Sequence, residues 1–217
     1  SRDWSSDVCS SDLVDVSGRM VAPGIGYLRI AAIGPRTVEQ AKLRVGELTK
    51  AGATSLVVDV RRASGGAPDA GVALARLFVG RGTLASRETR GTPRETITAV
   101  AGDGAVTLPA TLLIDAGTSG AAEVFASALA GTARAELIGE HTIGRAALKK
   151  LVRLGDGSGL WLTTTRFLTP GGDPLHEKGL EPAVAVDDPD VDFGQPAPTN
   201  DPILERAIAR IGEKRAA

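Results

Sequence analysis

Aromatic residues are scarce in this sequence: two tryptophans, one tyrosine and four phenylalanines among 217 residues. A folded core must therefore be filled by valine, leucine, isoleucine and alanine, the usual filling of α/β proteins with buried sheets. No apolar run approaches the roughly 20 residues that a membrane-crossing helix needs, so no membrane span is expected. The net charge is −1, and no basic stripe is interleaved with aromatics, which excludes nucleic acid as a main partner. Cysteine occurs once, at Cys9, and says nothing about redox compartment. The only histidines, His141 and His176, lack carboxylates or cysteines at ligand spacing, so neither a metal nor a cofactor is expected.

What is present suffices for one sizeable core or two small ones, since 42% of the residues are hydrophobic. The first thirteen residues stand apart. "DWSSDVCSSDL", Asp3 to Leu13, has no hydrophobic period and matches one reading frame of a widely used DNA-sequencing adapter, so residues 1–13 are set aside as an assembly artefact. Removing Arg2 and the three aspartates of that stretch turns 25 basic and 26 acidic residues into 24 and 23. The natural protein is then expected to begin further upstream, and the lack of a signal peptide is uninformative.

From Gly26 the chain alternates strands and helices. "GYLRIAAI" reads as a strand, and "TVEQAKLRVGELTKAG" as a helix with Val38, Ala41, Val45 and Leu48 on one face. Thr37 and Gln40 suggest a capping box, with Gly52 just beyond the helix end. "TSLVVDV" is a continuous apolar strand of the kind buried on both faces, followed by a helix over "DAGVALARLFVG". "TLASRETR" and "RETITAV" flank "GTP" as two strands. Strand "ATLLIDA", helix "AAEVFASALAG" and strand "AELIG" follow. "RAALKKLVRL" and "GLWLTTTRFL" flank "GDGS" as a hairpin, and "DPILERAIARI" closes as a helix after the Pro- and Asp-rich stretch 181–202. The predicted architecture is α/β, a mainly parallel sheet with packed helices. The one boundary lies near Val21, giving segments 1–13, 14–23 and 24–212 and a C-terminal tail over 213–217.

Four segments in this order resemble the tail-specific, or C-terminal processing, serine peptidase family. "LVVDVRRASGG" is similar to its strand and glycine loop, "GTSGAAEVFASAL" to its nucleophile turn and helix, and "IGEHTIGRAALKK" to its lysine-bearing strand. "DGSGLWLTTTRFLTPGGDPLHEKGLEPAVAV" is similar to its hairpin, Thr-Pro-x-Gly element and closing Lys-Gly-x-x-Pro. Each motif is weak alone; together, collinear over residues 25–211, they are specific. The resemblance implies a Clp protease- and crotonase-like fold, and a preceding PDZ domain of which residues 14–23 are the last remnant. Relatives are usually exported, which implies the periplasm or cell envelope.

The family uses a serine nucleophile and a lysine base, whose pKa burial can lower toward neutrality. Here the nucleophile position falls on Gly120 and the lysine position on Arg145, while a third position, often a glutamine, falls on Lys149. Glycine carries no nucleophile, and arginine keeps its proton. The resemblance further implies that Gly65 and Gly66 approach the substrate carbonyl and that the Ala121 amide is a second oxyanion donor at a helix N-terminus.

Two functions follow. One is capture of polypeptides with exposed C-termini, added as a strand beside the sheet, without hydrolysis. The other is an active serine-type endopeptidase using a displaced Ser119/Lys149 dyad; against it, a shift of ~1 Å costs about 100-fold in rate, and Ser119 reads equally as a helix cap. Asp59 reads as a turn or capping residue, Glu123 as an offset to its helix dipole, His176 as structural and "GDGSG" as a hairpin turn.

Overall fold

A computed structural model describes residues 15–187 and 200–216. Residues 1–13, Cys9 among them, and part of the Pro- and Asp-rich stretch lie outside the described residues.

The continuous apolar runs become a sheet covered on both sides. Strands β1 (Val16–Ala22), β2 (Ile25–Ile30), β3 (Ser55–Asp59), β6 (Ala110–Ile114), β7 (Ala135–Gly139) and β10 (Val184–Ala185) form six strands in the order β1-β2-β3-β6-β7-β10. All neighbours run parallel except β1 and β2. Successive residues of β3 point to opposite faces: Leu56 and Val58 enter the larger core and Val57 the smaller one. Leu112 and Leu113 divide in the same way on β6. Helices α1 (Thr37–Lys50), α2 (Pro68–Phe78) and α3 (Ala121–Gly131) supply the larger core, and α4 (Pro202–Ala216) covers the other face with Ile203, Ala207 and Ile211. Two of the few aromatics meet where α2 and α3 pack, Phe78 edge-on to Phe125 with centroids 5.5 Å apart.

Three boundaries differ from the sequence reading. β1 occupies most of segment 14–23, pairs with β2 from Val16 to Ala22, and buries Val16 in the main core. α4 runs on to Ala216, through most of the tail 213–217; Glu213 on its last turns pairs with Arg206 and Arg210, and Lys214 with Glu136. The Thr37/Gln40 capping box does not form, because the N-cap is Arg36 and Thr37 already lies inside the first turn. The Thr37 hydroxyl faces back, accepting from the Gly34 amide at 2.8 Å and donating to the Ala32 carbonyl at 3.2 Å.

A second, antiparallel sheet joins β5 (Glu95–Thr98), β4 (Thr83–Thr89), β9 (Gly159–Leu168) and β8 (Ala147–Arg153) in that order. Its inner end is buried through Leu84, Ala85 and Phe167, while β8 and the outer half of β9 project into solvent. "GDGSG" is their turn, closed by Asp156, whose Oδ1 accepts from the Ser158 amide at 2.9 Å.

Candidate active site

The carboxyl ends of parallel strands are where α/β sheets place ligands. Here the loops leaving β3, β6 and β7 carry the glycine pair, the serine turn and the arginine segment. Asp115 stitches the first two together. Its Oδ1 accepts from the Arg62 amide at 2.8 Å and lies 2.9 Å from the Thr118 hydroxyl, which is also 3.1 Å from the Val60 carbonyl. The Ser119 amide donates to the Ala63 carbonyl at 3.0 Å.

Gly120 is the N-cap of α3, with φ 62° and ψ −113°. An L residue adopts this conformation only at a cost of about 1–3 kcal/mol, and it is the kind of strained strand-to-helix turn that lifts a nucleophile above a sheet. A Cβ built there would meet only the carbonyl oxygens of Gly65 and Gly66, at 3.8 and 3.9 Å. The space is open, and the groups nearest to it are hydrogen-bond acceptors. Gly66 (φ 74°) has a second constraint, since a Cβ would come within 2.2 Å of the Ile33 carbonyl oxygen. Ala121, the first residue of α3, packs beside it. Ser119 is buried and does not cap the helix through its side chain; its carbonyl accepts from the Ala122 amide at 3.3 Å.

Glu123 joins the serine turn to the arginine segment. Its side chain is fully buried. Oε1 accepts from the Thr142 hydroxyl at 2.7 Å and the Gly144 amide at 2.6 Å. Oε2 accepts from the Gly120 amide at 2.9 Å and the Arg145 amide at 2.7 Å. The backbones of Gly120 and Arg145 therefore stand two hydrogen bonds apart, across one oxygen. Four donors fill the acceptor sites of a carboxylate, leaving none for a substrate proton. The dipole of α3 also favours this acid, but its main work is as a clamp. Thr142 extends the clamp by accepting from the Leu180 amide at 2.9 Å.

Arg145 itself is exposed, and its guanidinium has no hydrogen bond or ion pair among the described residues. Lys149 is exposed on β8 opposite Thr163, and no hydrogen bond joins it to Ser119. The fold thus gathers Gly65, Gly66, Ser119, Gly120, Ala121 and the Arg145 backbone at one place, with Lys149 on the adjoining hairpin.

Asp59 belongs to a separate cluster. Its carboxylate accepts from the Tyr27 hydroxyl at 2.5 Å, from the Arg61 amide at 2.9 Å and from the Arg61 guanidinium at 2.7 Å. The turn role expected of it is present, with a network added. Arg61 continues to Asp201 through contacts of 2.9 and 2.6 Å, and Asp201 Oδ1 accepts from the Leu204 amide, tying α4 to the start of the glycine loop. Burial, and then the Asp59 charge and hydrogen bond, push the Tyr27 phenol far above its ordinary range. Burial opposes the charge of Asp201, but Arg61 and the Leu204 amide outweigh it and hold the carboxyl below the usual aspartate range. His141 and His176 come within 3.6 and 3.8 Å of the Glu181 and Glu177 carboxylates. Among the described residues no group of histidine, cysteine or carboxylates could hold a metal, and no helix is long and apolar enough to cross a membrane.

Residues 24–186, a span that includes Gly65, Gly66, Ser119, Gly120, Ala121, Arg145 and Lys149, match the model described as Peptidase family S41. The chain belongs to peptidase family S41. It is 34% identical over 178 residues to the chloroplastic C-terminal processing peptidase of Tetradesmus obliquus, covering 80% of this chain and 38% of that protein. It is 30% identical over 171 residues to a carboxyl-terminal-processing protease of Synechocystis, covering 79% and 40%. The solved photosystem II D1 C-terminal processing protease superposes with a TM-score of 0.68 at 34% identity, over 80% of this chain and 46% of that one. This S41 chain thus spans about two-fifths of the length of the curated relatives it matches. The α/β fold with a mainly parallel sheet is that of the family.

Sequence reasoning named these positions but not what holds them. The signal for Glu123 was its spacing, three residues after the N-cap, as in the carboxylate half of a capping box. With glycine at the N-cap, only that half exists. Thr142 left no comparable signal, because its partners Glu123 and Leu180 lie 19 and 38 residues away; Asp115 and Asp201 have a local partner each, but their links to Arg62 and Arg61 span 53 and 140 residues.

Proposed function

We propose that this chain binds the C-terminal tails of polypeptides at the carboxyl ends of β3, β6 and β7 and leaves them intact, in the cell envelope or an equivalent lumen. The observation that carries the reading is Gly120. The turn keeps the strained geometry of a nucleophile position while carrying no side chain, and the resemblance puts Arg145 where the base would stand. Losing a nucleophile removes turnover but not the contacts that hold a ligand. The Arg145 guanidinium, exposed and without a partner among the described residues, is suited to a terminal carboxylate, as a bidentate charge-assisted pair.

Titration of a labelled peptide with an apolar, free C-terminus tests this. Binding without cleavage is expected, with weaker binding when the terminus is amidated. Because Arg145 is exposed, Arg145→Ala should cost only about 0.5–1 kcal/mol, roughly two- to fivefold in affinity. Equal affinities for both peptides and both proteins would remove Arg145 as the anchor. Cleavage by the unmodified chain that disappears in Ser119→Ala would establish the displaced Ser119/Lys149 dyad instead. The repair Gly120→Ser with Arg145→Lys supplies both chemical groups and should yield measurable proteolysis. The serine finds room but should lower stability by about 1–3 kcal/mol, because its φ stays positive.

A further inference from the structure

The hairpin of β8 and β9 is the least covered part of the described chain. Leu151, Val152, Leu154, Leu160, Trp161 and Leu162 are all exposed, Trp161 at 64%. They lie on both sides of the ribbon: Leu151 opposes Trp161 on one face, while Val152 opposes Leu160 and Lys150 opposes Leu162 on the other. A two-stranded ribbon cannot bury two apolar faces against itself. β8 is also an edge strand, with β9 on one side and no strand on the other among the described residues.

The charge of the hairpin is one-sided. Residues 145–168 hold five cations, Arg145, Lys149, Lys150, Arg153 and Arg166, against the single acid Asp156. None of the five has an ion-pair partner among the described residues, and Asp156 is occupied by Ser158.

Three occupants can be weighed. A second copy paired along β8 would bring lysines against lysines, the arrangement that keeps edge strands apart. Bilayer insertion would carry the polar Asp156–Ser158 tip in first, because the apolar belt crosses the middle of the ribbon. An extended polypeptide of alternating acidic and apolar residues fits this edge: its backbone pairs with β8, its carboxylates meet Lys149 and Arg153 on the face of Leu151, and its apolar side chains meet Val152 and Leu154 on the other. The track has a direction as well. β8 begins two residues after Arg145, whose amide shares an oxygen of Glu123 with Gly120.

We propose that the β8 edge is a docking track for extended acidic-apolar polypeptide segments, which bind by strand addition and lead toward the Gly120 turn. This deepens the polypeptide-binding reading and rests on it.

Trp161 is the natural reporter. In the full chain carrying Trp4→Phe it is the only tryptophan. The probe is a synthetic peptide alternating glutamate with valine and leucine, amidated at its C-terminus so that no terminal carboxylate takes part. A saturable shift of Trp161 emission is expected. The shift should be lost with a peptide N-methylated at alternate backbone nitrogens. Lys149→Glu with Arg153→Glu should weaken binding at least about tenfold and transfer the preference to a lysine-for-glutamate peptide, and Lys149→Gln with Arg153→Gln should fall between. Equal binding of the N-methylated peptide, or indifference to charge reversal, would overturn strand addition or charge selection. A shift with phosphatidylserine vesicles but not with the peptide would make the hairpin a membrane contact, and a doubling of mass without ligand would make it a self-association surface. Because the probe is amidated, failure here leaves the Arg145 carboxylate test standing, and failure there leaves this one standing.

Discussion

β3 and the outer half of β9 are both rich in aliphatic residues, yet every residue of β3 is buried and the first five of β9 are exposed. The difference lies in the connections. Parallel neighbours must be joined by crossovers, and the crossing helices cover the sheet as they return. An antiparallel hairpin closes through a short turn and brings no cover with it. Similar composition therefore produces a core in one region and an unpartnered surface in the other. The two regions meet at Glu123, on a core helix, which grips the root of the hairpin through the Gly144 and Arg145 amides.

Cutting that junction should have the largest effect. Glu123→Ala leaves the Gly120, Gly144 and Arg145 amides and the Thr142 hydroxyl without an acceptor. A loss of about 3–5 kcal/mol is expected in denaturant unfolding. Faster amide exchange should concentrate at the hairpin root and the first turn of α3. A loss under 1 kcal/mol would mean that water replaces the carboxylate and that the two regions are held independently.

A matched pair of truncations sharpens the contrast. Leu112→Ala, in the fully buried centre of β6, should cost about 2–5 kcal/mol. Leu162→Ala, on the exposed ribbon, should stay within about 0.5 kcal/mol. Similar costs would show that something covers the hairpin in solution.

The smallest effect is confined to the body and depends on pH. The folded-state pKa of Asp201 lies below its unfolded value, so its contribution is fully present above about pH 3.9 and is lost as pH falls through the folded value. Melting temperatures of the unmodified chain and of Asp201→Asn should differ at neutral pH and converge in acid. A constant difference would show that the pairing of Asp201 with Arg61 does not hold α4.

Much of this was legible in the residues. The runs "LVVDV" and "ATLLIDA" announced strands buried on both faces, because no polar residue interrupts them where one face would meet water. "GDGS" announced a hairpin turn. The position of Gly120 was readable from its neighbours, but the meaning of Glu123 was not: a carboxylate on a first helical turn looks alike whether it faces solvent or gathers two loops. β1 escaped notice because only Val16 of its residues is buried, so its strand character lies in pairing with β2. The capping box of α1 failed because a one-residue shift in the helix start turns the same threonine inward.

By itself the sequence determined the class of the fold, the order of its elements and the absence of a serine and a lysine at Gly120 and Arg145, since these depend on residue identity and local period. Only the tertiary structure decided that the two positions share one carboxylate oxygen, that Arg145 is exposed with no ion-pair partner among the described residues, and that the described residues leave the β8–β9 ribbon uncovered. Those facts depend on which distant segments the sheet brings together, and burial and hydrogen bonding across such distances have no local signature in the chain.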